Sequence, residues 1–494
     1  MLDNLKKTIK GAFIYGFGNL STKLVGFILI PLYTKKFTVA EYGILGILDI
    51  TSQIIIVVFG LSLYTAFFRW YWDKDFKDKQ KSIFFTLLVS VSIFSLIIGS
   101  LFIFLRKPLS GLLFDSPDFS YYIVLIIVVA CFEAVGIVIA TLIRLQEKAL
   151  LYTILYILKL ITSLSFTVYF IVYRGKNIEA IYEAQIIGNV VYFLTASLFI
   201  LKNIEPRFDR IALRNMLIFS FPLMLTAFTG IILNVTDRYA LRFLADYESV
   251  GIYTLGYKIA NTIRVFVIAS VNMALQPMIF KMMNDSDNKR FYSKIMTYFT
   301  YGLIFVVLGI SLFGKEIIKV LSQNVSYWES FRVVPILSYA MLFTMLRDIS
   351  LTGLNLTKNT KVIAIITISI SLFNIGLNIL FVKFWGYMGA AVCTLVSQMM
   401  FFLLIYYFAQ KYYPVPYELF KIFLIIITSL GLFFIAQLTN DMSLLLRLLI
   451  KTLLIIILPV LLYFMKFYEQ VELDRLKGFW LKWRNPRRWP SNLK

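Results

Sequence analysis

The sequence has 494 residues, 60% of them hydrophobic and only 15% charged, which is far more apolar than a soluble globular domain. It contains no histidine, so histidine-based catalytic triads, HExxH zinc sites and imidazole proton relays are excluded. A formal net charge of +22 would suggest nucleic-acid binding in a soluble protein, but a chain this apolar is an integral membrane protein, and we expect no nucleic-acid partner. The two cysteines lie in separate apolar runs and form no metal or redox motif, so we expect neither a metal nor a cofactor.

Mostly apolar stretches of about 20 residues, each long enough to cross a bilayer, follow one another along the chain. We count fourteen, at approximately 11–34, 42–68, 82–105, 119–146, 149–173, 179–201, 214–243, 249–280, 292–313, 329–352, 359–383, 387–410, 417–438 and 444–466. Lysines and arginines concentrate in alternate loops, and the preference of basic loops for the cytoplasm places both termini inside. The sequence therefore predicts an all-α polytopic membrane protein.

The two halves of the chain resemble each other at a nearly constant offset. "AEYGILG" at 40–46 aligns with "ESVGIYTLG" at 248–256, which pairs Gly43 with Gly251, 208 residues apart. Segments that begin at residues 144 and 354, and at 173 and 383, match at an offset of 210. We interpret spans 1 to 6 and 7 to 12 as two copies of one six-helix bundle. Because six is even, both copies have the same orientation, and their pseudo-two-fold axis runs along the membrane normal.

The predicted organisation has four parts. They are an N-lobe at 1–203, a C-lobe at 204–412, two further helices at 413–468, and a basic, tryptophan-rich cytoplasmic tail at 469–494 that lies on the anionic membrane surface. No loop is long enough to hold a folded domain outside the membrane, so the function must reside among the helices. A cavity between two such lobes is the layout of an alternating-access transporter, whose substrate site lies at the lobe interface.

Three stretches of the sequence resemble a known family. They are "IYGFGNLSTKLVGFILIPLYTKKFTVAEYGILGILDI" at 14–50, "RLQEK" at 144–148 and "FSFPLMLTAFTGIILNVTDRYALRFLADYESVGIYTLGYKIA" at 219–260. They are similar to the polysaccharide-transporter branch, with its Wzx-type O-antigen flippases, of the multidrug, oligosaccharidyl-lipid and polysaccharide (MOP) exporter superfamily, which also holds the multidrug MATE transporters. The resemblance covers nearly the whole chain to about residue 466. It implies a V-shaped fold of two six-helix lobes with two extra C-terminal helices.

The resemblance also implies a function. Members of this family flip undecaprenyl-diphosphate-linked oligosaccharides from the cytoplasmic to the outer leaflet of the bacterial cytoplasmic membrane. We therefore expect a non-enzymatic flippase that is a monomer by family analogy. Its expected partners are a lipid-linked repeat unit of O-antigen, capsule or exopolysaccharide, membrane lipids and polysaccharide assembly proteins. Coupling to an H⁺ or Na⁺ gradient stays open.

A diphosphate head needs a basic, water-accessible cavity, and every charge on a lipid-facing helix is costly. The basic residues within the predicted spans are Lys23, Lys159, Arg238, Lys258, Arg264, Arg332 and Arg347, against the acids Asp49, Glu133, Glu183, Asp237 and Asp348. Because Lys23, Lys258 and Arg264 have no evident acid near them in sequence, we expect them to be the diphosphate ligands. Arg264 can clamp a phosphate with two donors, whereas a lysine acts as a point charge.

Helical spacing adds neutral residues to this site. At about 100° per residue, Lys258, Asn261 and Asn272 share one face of span 8, and Arg264 borders that face. The predicted substrate-binding set is Lys23, Arg238, Lys258, Arg264, Asn261, Asn272, Asp49 and Gln53. The ion-pair or gating candidates are Asp237 beside Arg238, Glu133 with Lys159, and Arg347 with Asp348. We expect Asp237 to position its neighbour or to close a gate, and each pair also has a purely structural interpretation.

Two other functions are compatible with the fold. A cation-coupled drug antiporter of the same superfamily would hold unpaired carboxylates in its cavity, and the excess of buried basic residues argues against it. A polymerase or ligase of envelope polysaccharide would carry its catalytic groups on a large external loop. The longest predicted outer loop, near 322–328, is short.

Overall fold

The computed structural model describes residues 26–72, 78–283 and 285–474, and every regular element among them is helical. In the first half these are α1 (Ile30–Lys36), α2 (Val39–Gly60), α3 (Leu63–Trp70), α4 (Gln80–Phe104), α5 (Arg106–Phe114), α6 (Ser120–Leu145), α7 (Ala149–Val168) and α8 (Glu179–Asn203). In the second half they are α9 (Arg210–Leu244), α10 (Tyr247–Thr262), α11 (Ala269–Lys281), α12 (Asn288–Leu321), α13 (Val333–Leu356), α14 (Thr360–Tyr412), α15 (Leu419–Gln437) and α16 (Leu444–Phe464). The predicted all-α class is confirmed.

Eleven helical stretches among the described residues are long and apolar enough to cross a membrane. One of them, α14, has 53 residues and bends at Gly386, whose φ of 51° is not helical. At about 1.5 Å per residue a straight helix of that length would far exceed the thickness of a bilayer. The region of predicted span 8 consists of α10 and α11 joined by a π-helical turn at Ile263–Ile268. Predicted span 1 begins outside the described residues, so the exact number of fourteen stays a prediction.

Hydrophobic side chains cover both the interior and the outer surface of the bundle. In the most apolar part of the span Val325–Leu356, which contains α13, 78% of the residues are buried. In the most apolar part of α8, only 33% of the residues are buried. On α8, Leu194, Leu198 and Leu201 are 68% to 70% exposed and lie three or four residues apart. Such an exposed leucine stripe suits a helix whose outer face contacts lipid, because lipid does not penalise apolar surface as water does.

The repeated glycine motif lies where α2 and α10 cross. A Cβ added to Gly43 would lie 2.1 Å from the Tyr247 carbonyl oxygen, and one added to Gly251 would lie 2.1 Å from the Val39 carbonyl oxygen. Val39 and Tyr247 are themselves 208 residues apart. The contact of Gly43 with Tyr247 is therefore repeated by the contact of Gly251 with Val39, with the two halves of the chain exchanged. That reciprocity is what a two-fold axis between the two helices requires. The glycines recur because only a residue without a side chain lets the two backbones approach so closely.

The two C-terminal helices are attached to α12 by ion pairs near both of its ends. Near one end, Glu316 of α12 lies 2.9 Å from Lys451 of α16. Near the other end, Lys294 of α12 lies 2.8 Å from Glu418, just before α15, and also pairs with Glu469, beyond α16. Charges in such positions persist because each has an opposite charge within hydrogen-bond distance.

Candidate substrate cavity

A cavity of about 610 Å³ lies between α2, α9 and α10, beside the segment at 26–30. Its polar lining residues are Asp49, Gln53, Asn234, Arg238, Thr254, Tyr257, Lys258, Asn261, Thr262 and Arg264. Six of the eight residues predicted to bind substrate are therefore brought together. Among the described lining residues, three carry a positive charge and one carries a negative charge, so the cavity has an excess of positive charge.

The other two predicted binding residues are not found there. Lys23 lies outside the described residues. Asn272 does not line the cavity, and its Nδ2 instead donates to Asp348 Oδ2 at 3.0 Å. The π-helical turn at Ile263–Ile268 explains this error, because an inserted residue rotates the rest of the helix by about 100° relative to a regular α-helix. The expected single polar face of span 8 is therefore wrong beyond the turn.

Lys258 has an acidic partner that its sequence neighbourhood does not reveal. Its Nζ lies 3.9 Å from Asp49 Oδ2, and Asp49 Oδ1 accepts a hydrogen bond of 2.9 Å from the Tyr182 hydroxyl. Lys258 has no acid near it in sequence, as noted above, but its partner comes from the other half of the chain, 209 residues earlier. The side chains of Lys258 and Asp49 are 27% and 35% exposed. This partly exposed pair joins α10 to α2 at the cavity wall.

Arg238 reaches the cavity along an aromatic ring. Its guanidinium carbon lies 4.3 Å from the centroid of the Tyr257 ring, and Nη1 donates to the Asn234 carbonyl at 3.2 Å. Only 7% of the residue is exposed. The Tyr257 ring and the Asn234 carbonyl therefore fix the position of the guanidinium, and its positive charge lies at the cavity wall.

Asp237, the next residue, is engaged elsewhere. It is 2% exposed and accepts hydrogen bonds from the Tyr253 hydroxyl at 2.6 Å, the Thr394 hydroxyl at 2.7 Å and Asn378 Nδ2 at 3.1 Å. Among the described residues it forms no salt bridge, so the predicted ion pair with Arg238 is not made, and a gating role stays a prediction. Successive residues of a helix point about 100° apart, which directs Asp237 to α14 and Arg238 to the cavity.

Arg264 is the cavity cation with the most available donors. It lies in the π-helical turn, is exposed, and has no carboxylate within 4.0 Å in the part of the chain that the structure describes. Its Nη1 donates to Asn234 Oδ1 at 3.3 Å, while Asn234 Nδ2 donates to the Gly230 carbonyl at 2.7 Å. The amide thus orients one edge of the guanidinium and leaves most of its N–H groups for a ligand.

Two predicted ion pairs are formed, but away from the cavity: Glu133 with Lys159, and Arg347 with Asp348. Lys159 Nζ lies 2.5 Å from Glu133 Oε1, which also accepts from Asn189 Nδ2 at 3.4 Å. Arg347 Nη2 lies 2.7 Å from Asp348 Oδ1. None of these side chains lines the cavity, so they lie outside the candidate substrate cavity.

Hydrogen bonds between the two halves close one end of the cavity, which we call the sealed end. They run from the Tyr327 hydroxyl to the Phe37 carbonyl at 2.9 Å, from the Thr34 hydroxyl to the Leu321 carbonyl at 3.0 Å, and from Arg242 Nε to the Leu113 carbonyl at 2.7 Å. The crossing of Gly43 with Gly251 lies at the same end. From this seal the cavity extends along α10 to Phe266 and Ala269.

Asn234, Tyr182 and Tyr257 belong to this network but lie outside the predicted substrate-binding set. Asn234 carried a signal, since it precedes Arg238 by four residues and shares its helix face. Tyr182, which donates to Asp49, carried none. Tyr257, which lies under Arg238, is one of 30 tyrosines, too many for composition alone to distinguish it.

Together these features define a multi-pass helical membrane protein in which two equivalent helices cross beside a basic cavity. A family model described as polysaccharide biosynthesis protein matches residues 8–283, more than half of the chain. The chain belongs to this polysaccharide biosynthesis family, as the motifs quoted above predict. A relative from Haemophilus influenzae, named as an uncharacterized membrane protein, is 25% identical over 286 residues, which cover 57% of this chain and 67% of the relative.

Solved structures share the fold. The lipid II flippase MurJ, in an inward closed conformation, has a TM-score of 0.76 at 18% identity, with 92% of this chain and 100% of that chain covered. An inward-facing multidrug resistance MATE family transporter of the MOP superfamily has a TM-score of 0.65 at 15% identity, with 80% and 97% covered. At such identities the likeness concerns the fold alone, and it confirms the predicted MATE-like architecture.

Proposed function

We propose that this chain is a flippase that moves an undecaprenyl-diphosphate-linked oligosaccharide from the cytoplasmic to the outer leaflet of a bacterial cytoplasmic membrane. The substrate is a repeat unit of a surface polysaccharide. The protein works as a monomer with both termini in the cytoplasm, and polysaccharide assembly proteins deliver its substrate and take up its product. The observation that carries the proposal is the excess of positive charge in the cavity at the crossing of α2 and α10. A diphosphate is the part of such a substrate that this charge attracts.

Arg264 is the principal ligand of the diphosphate in this mechanism. Its guanidinium is exposed and lacks a carboxylate partner among the described residues, so a phosphate does not have to displace an existing ion pair. Arg238, on α9, adds a second positive charge to the lining of the same cavity. Lys258 contributes less while Asp49 lies 3.9 Å away, and more once the two halves separate at the sealed end.

The charge of the cavity also separates this proposal from its rivals. A drug antiporter for organic cations needs free carboxylates in the cavity, and the one carboxylate among the described lining residues, Asp49, already faces Lys258. The outer-loop region 322–328 lies in a short connection between α12 and α13, which leaves little room for the catalytic groups of a polymerase or ligase.

Energy coupling is assigned to Asp237 in this proposal. A carboxylate that is 2% exposed, with hydroxyl and amide donors and no salt bridge among the described residues, can exchange a proton or a monovalent cation without breaking an ion pair. Asn378 Oδ1 beside it is buried and lacks a hydrogen-bond partner, so an oxygen ligand is available for a bound ion. Because Asp237 and Arg238 are adjacent on α9, a change of charge at Asp237 changes the electrostatic potential at the cavity wall, where Arg238 lies.

The test of this function is the transfer of a lipid-linked oligosaccharide in cells or in proteoliposomes. Arg264→Ala is expected to lower the transfer rate about ten-fold or more at a normal protein level, because a charge-assisted phosphate contact is lost. Arg264→Lys should restore part of the rate, since a point charge replaces a two-point clamp. Arg290→Ala, at an exposed arginine of α12, is the matched control and should match the parent. Equal rates for Arg264→Ala and the control would refute the role of the cavity.

A further inference from the structure

A second cavity of about 210 Å³ lies in the second half of the chain, between α12, α13 and the two C-terminal helices. Its lining residues are Ser311, Leu312, Lys315, Phe331, Arg332, Pro335, Met388, Phe433, Gln437, Asn440 and Lys451. It shares no residue with the central cavity, and its lining includes Phe331 and Arg332, where the 3-10 segment Val325–Arg332 leads into α13. Its contents are therefore independent of the proposed substrate site.

This second cavity holds an excess of positive charge. Lys451 and Arg447 share a single acid, Glu316, at 2.9 Å and 2.7 Å. Lys315 lines the cavity, lies 5.7 Å from the centroid of the Phe331 ring, and has no carboxylate within 4.0 Å among the described residues. Within the described part of the chain, an anion in the cavity would therefore meet Lys315 without a carboxylate partner, and beside it a group of three charged side chains with one positive charge in excess.

The polar groups of the cavity are built in rather than displayed on the surface. Lys451 is 3% exposed, and Ser311 is 5% exposed with a hydroxyl that has no hydrogen-bond partner. A buried hydroxyl without a partner is costly, and an anion that accepts its hydrogen bond removes that cost. Asn440 Nδ2 donates to Gln437 Oε1 at 2.8 Å, and the remaining amide N–H groups of these two lining residues are further donors.

The surroundings of the cavity indicate an amphiphilic ligand. Phe331, Met388 and Phe433 form an apolar part of its wall. Next to Gln437 the surface is strongly apolar, with Phe434 65% exposed and Leu438 79% exposed, as expected for a face in lipid. A ligand that fits both parts has a negatively charged head and a hydrocarbon portion that stays in the membrane.

We propose that this second cavity binds the phosphate headgroup of an anionic membrane lipid. The phosphate contacts Lys315 and the Ser311 hydroxyl, and the acyl chains lie along the exposed apolar face of α15. A lipid held there bridges α12 and α15 and so fixes the two C-terminal helices against the second half of the bundle. Inorganic phosphate presents the same acceptor oxygens, and the experiment distinguishes the two sources.

The chain offers a matched pair of variants for this test. Lys319 lies one turn beyond Lys315 on α12 and packs over Trp328 at 4.1 Å, but it does not line the cavity. In native mass spectrometry of the full chain with equal amounts of phosphatidylglycerol and phosphatidylcholine, the parent should retain phosphatidylglycerol preferentially. Lys315→Gln should weaken that binding about ten-fold, Lys315→Arg should preserve it, and Lys319→Gln should match the parent.

Three outcomes would overturn the proposal. Equal retention of the two lipids by the parent would show that charge does not select the ligand. An equal loss in Lys319→Gln and Lys315→Gln would show a diffuse surface attraction in place of a site. Displacement of phosphatidylglycerol by an equal concentration of inorganic phosphate would assign the cavity to the free anion. Arg264→Ala leaves this lipid binding unchanged, so failure here does not bear on the flippase proposal.

Discussion

Replacing either glycine of the α2 and α10 crossing with alanine should open the sealed end. The added Cβ would lie 2.1 Å from a backbone carbonyl oxygen, whereas ordinary contacts begin near 3.4 Å, and neither partner is a flexible side chain. The two helices must therefore separate by more than about 1 Å. Overpacking of this kind costs about 1–3 kcal/mol, which shifts the balance between sealed and open states by about five-fold to more than about one hundred-fold.

The structure also ranks the other glycines of α2. A Cβ at Gly46 would lie 2.6 Å from the Thr254 hydroxyl oxygen, a side-chain atom that can rotate away, so Gly46→Ala should have a smaller effect. Gly60 has nothing within 4 Å, and Gly60→Ala is the matched control. Alanine is the better helix former by about 1 kcal/mol, so this control should be neutral or stabilising.

The separation can be measured with spin labels on the two halves of the sealed end. Lys36→Cys and Val325→Cys provide exposed label positions in a background in which Cys131 and Cys393 are replaced by serine. Double electron-electron resonance should give a longer distance population for Gly43→Ala and Gly251→Ala than for the parent. If both variants give the same distances as Gly60→Ala, the glycine crossing does not hold this end closed.

Three further predictions follow from individual contacts. Glu133→Gln and Lys159→Met should each lower the melting temperature, with recovery in the double variant because no unpaired charge remains, and additive losses would mean that the pair does not interact. Asp237→Asn should abolish the dependence of transport on an ion gradient while gradient-independent exchange of substrate persists, and an unchanged dependence would exclude this carboxylate. Hydrogen bonds from Lys294 and Lys421 lower the pKa of Glu469 to about 2, so its stabilising effect is complete above its ordinary pKa of about 4.5 and is lost as the pH falls toward 2. The drop in melting temperature between pH 6 and pH 3 should be smaller for Glu469→Gln than for the parent, and equal drops would contradict this assignment.

The sequence alone predicts those structural features that depend on a single helix or on an exact repeat. The offset of 208 predicted that Gly43 and Gly251 are equivalent, and the structure places both at one crossing. Charge in an apolar helix predicted Arg238 and Arg264 at a cavity, because the cost of a charge in lipid leaves few other places for it. Neither inference needed knowledge of how the helices pack.

Features that depend on packing between helices could not be predicted in this way. The partner of Lys258 lies 209 residues away, and no local pattern connects the two. The position of Asn272 depends on a π-helical turn, which a wheel of about 100° per residue does not contain. The donors around Asp237 come from α10 and from both parts of α14, so the sequence shows only its adjacent arginine.

The pair of Lys258 with Asp49 gives the cavity a reason to bind its substrate differently in its two states. The pair bridges α10 and α2, the same helices that the glycines hold together at the sealed end. In the proposed mechanism, Asp49 neutralises Lys258 while that end is closed, and Arg264 and Arg238 then supply the attraction for a diphosphate. Separation of the helices lengthens a distance that is already 3.9 Å and frees the lysine. A ligand shifts a conformational equilibrium only by its difference in affinity for the two states, so in this proposal the freed charge would let a bound diphosphate favour opening.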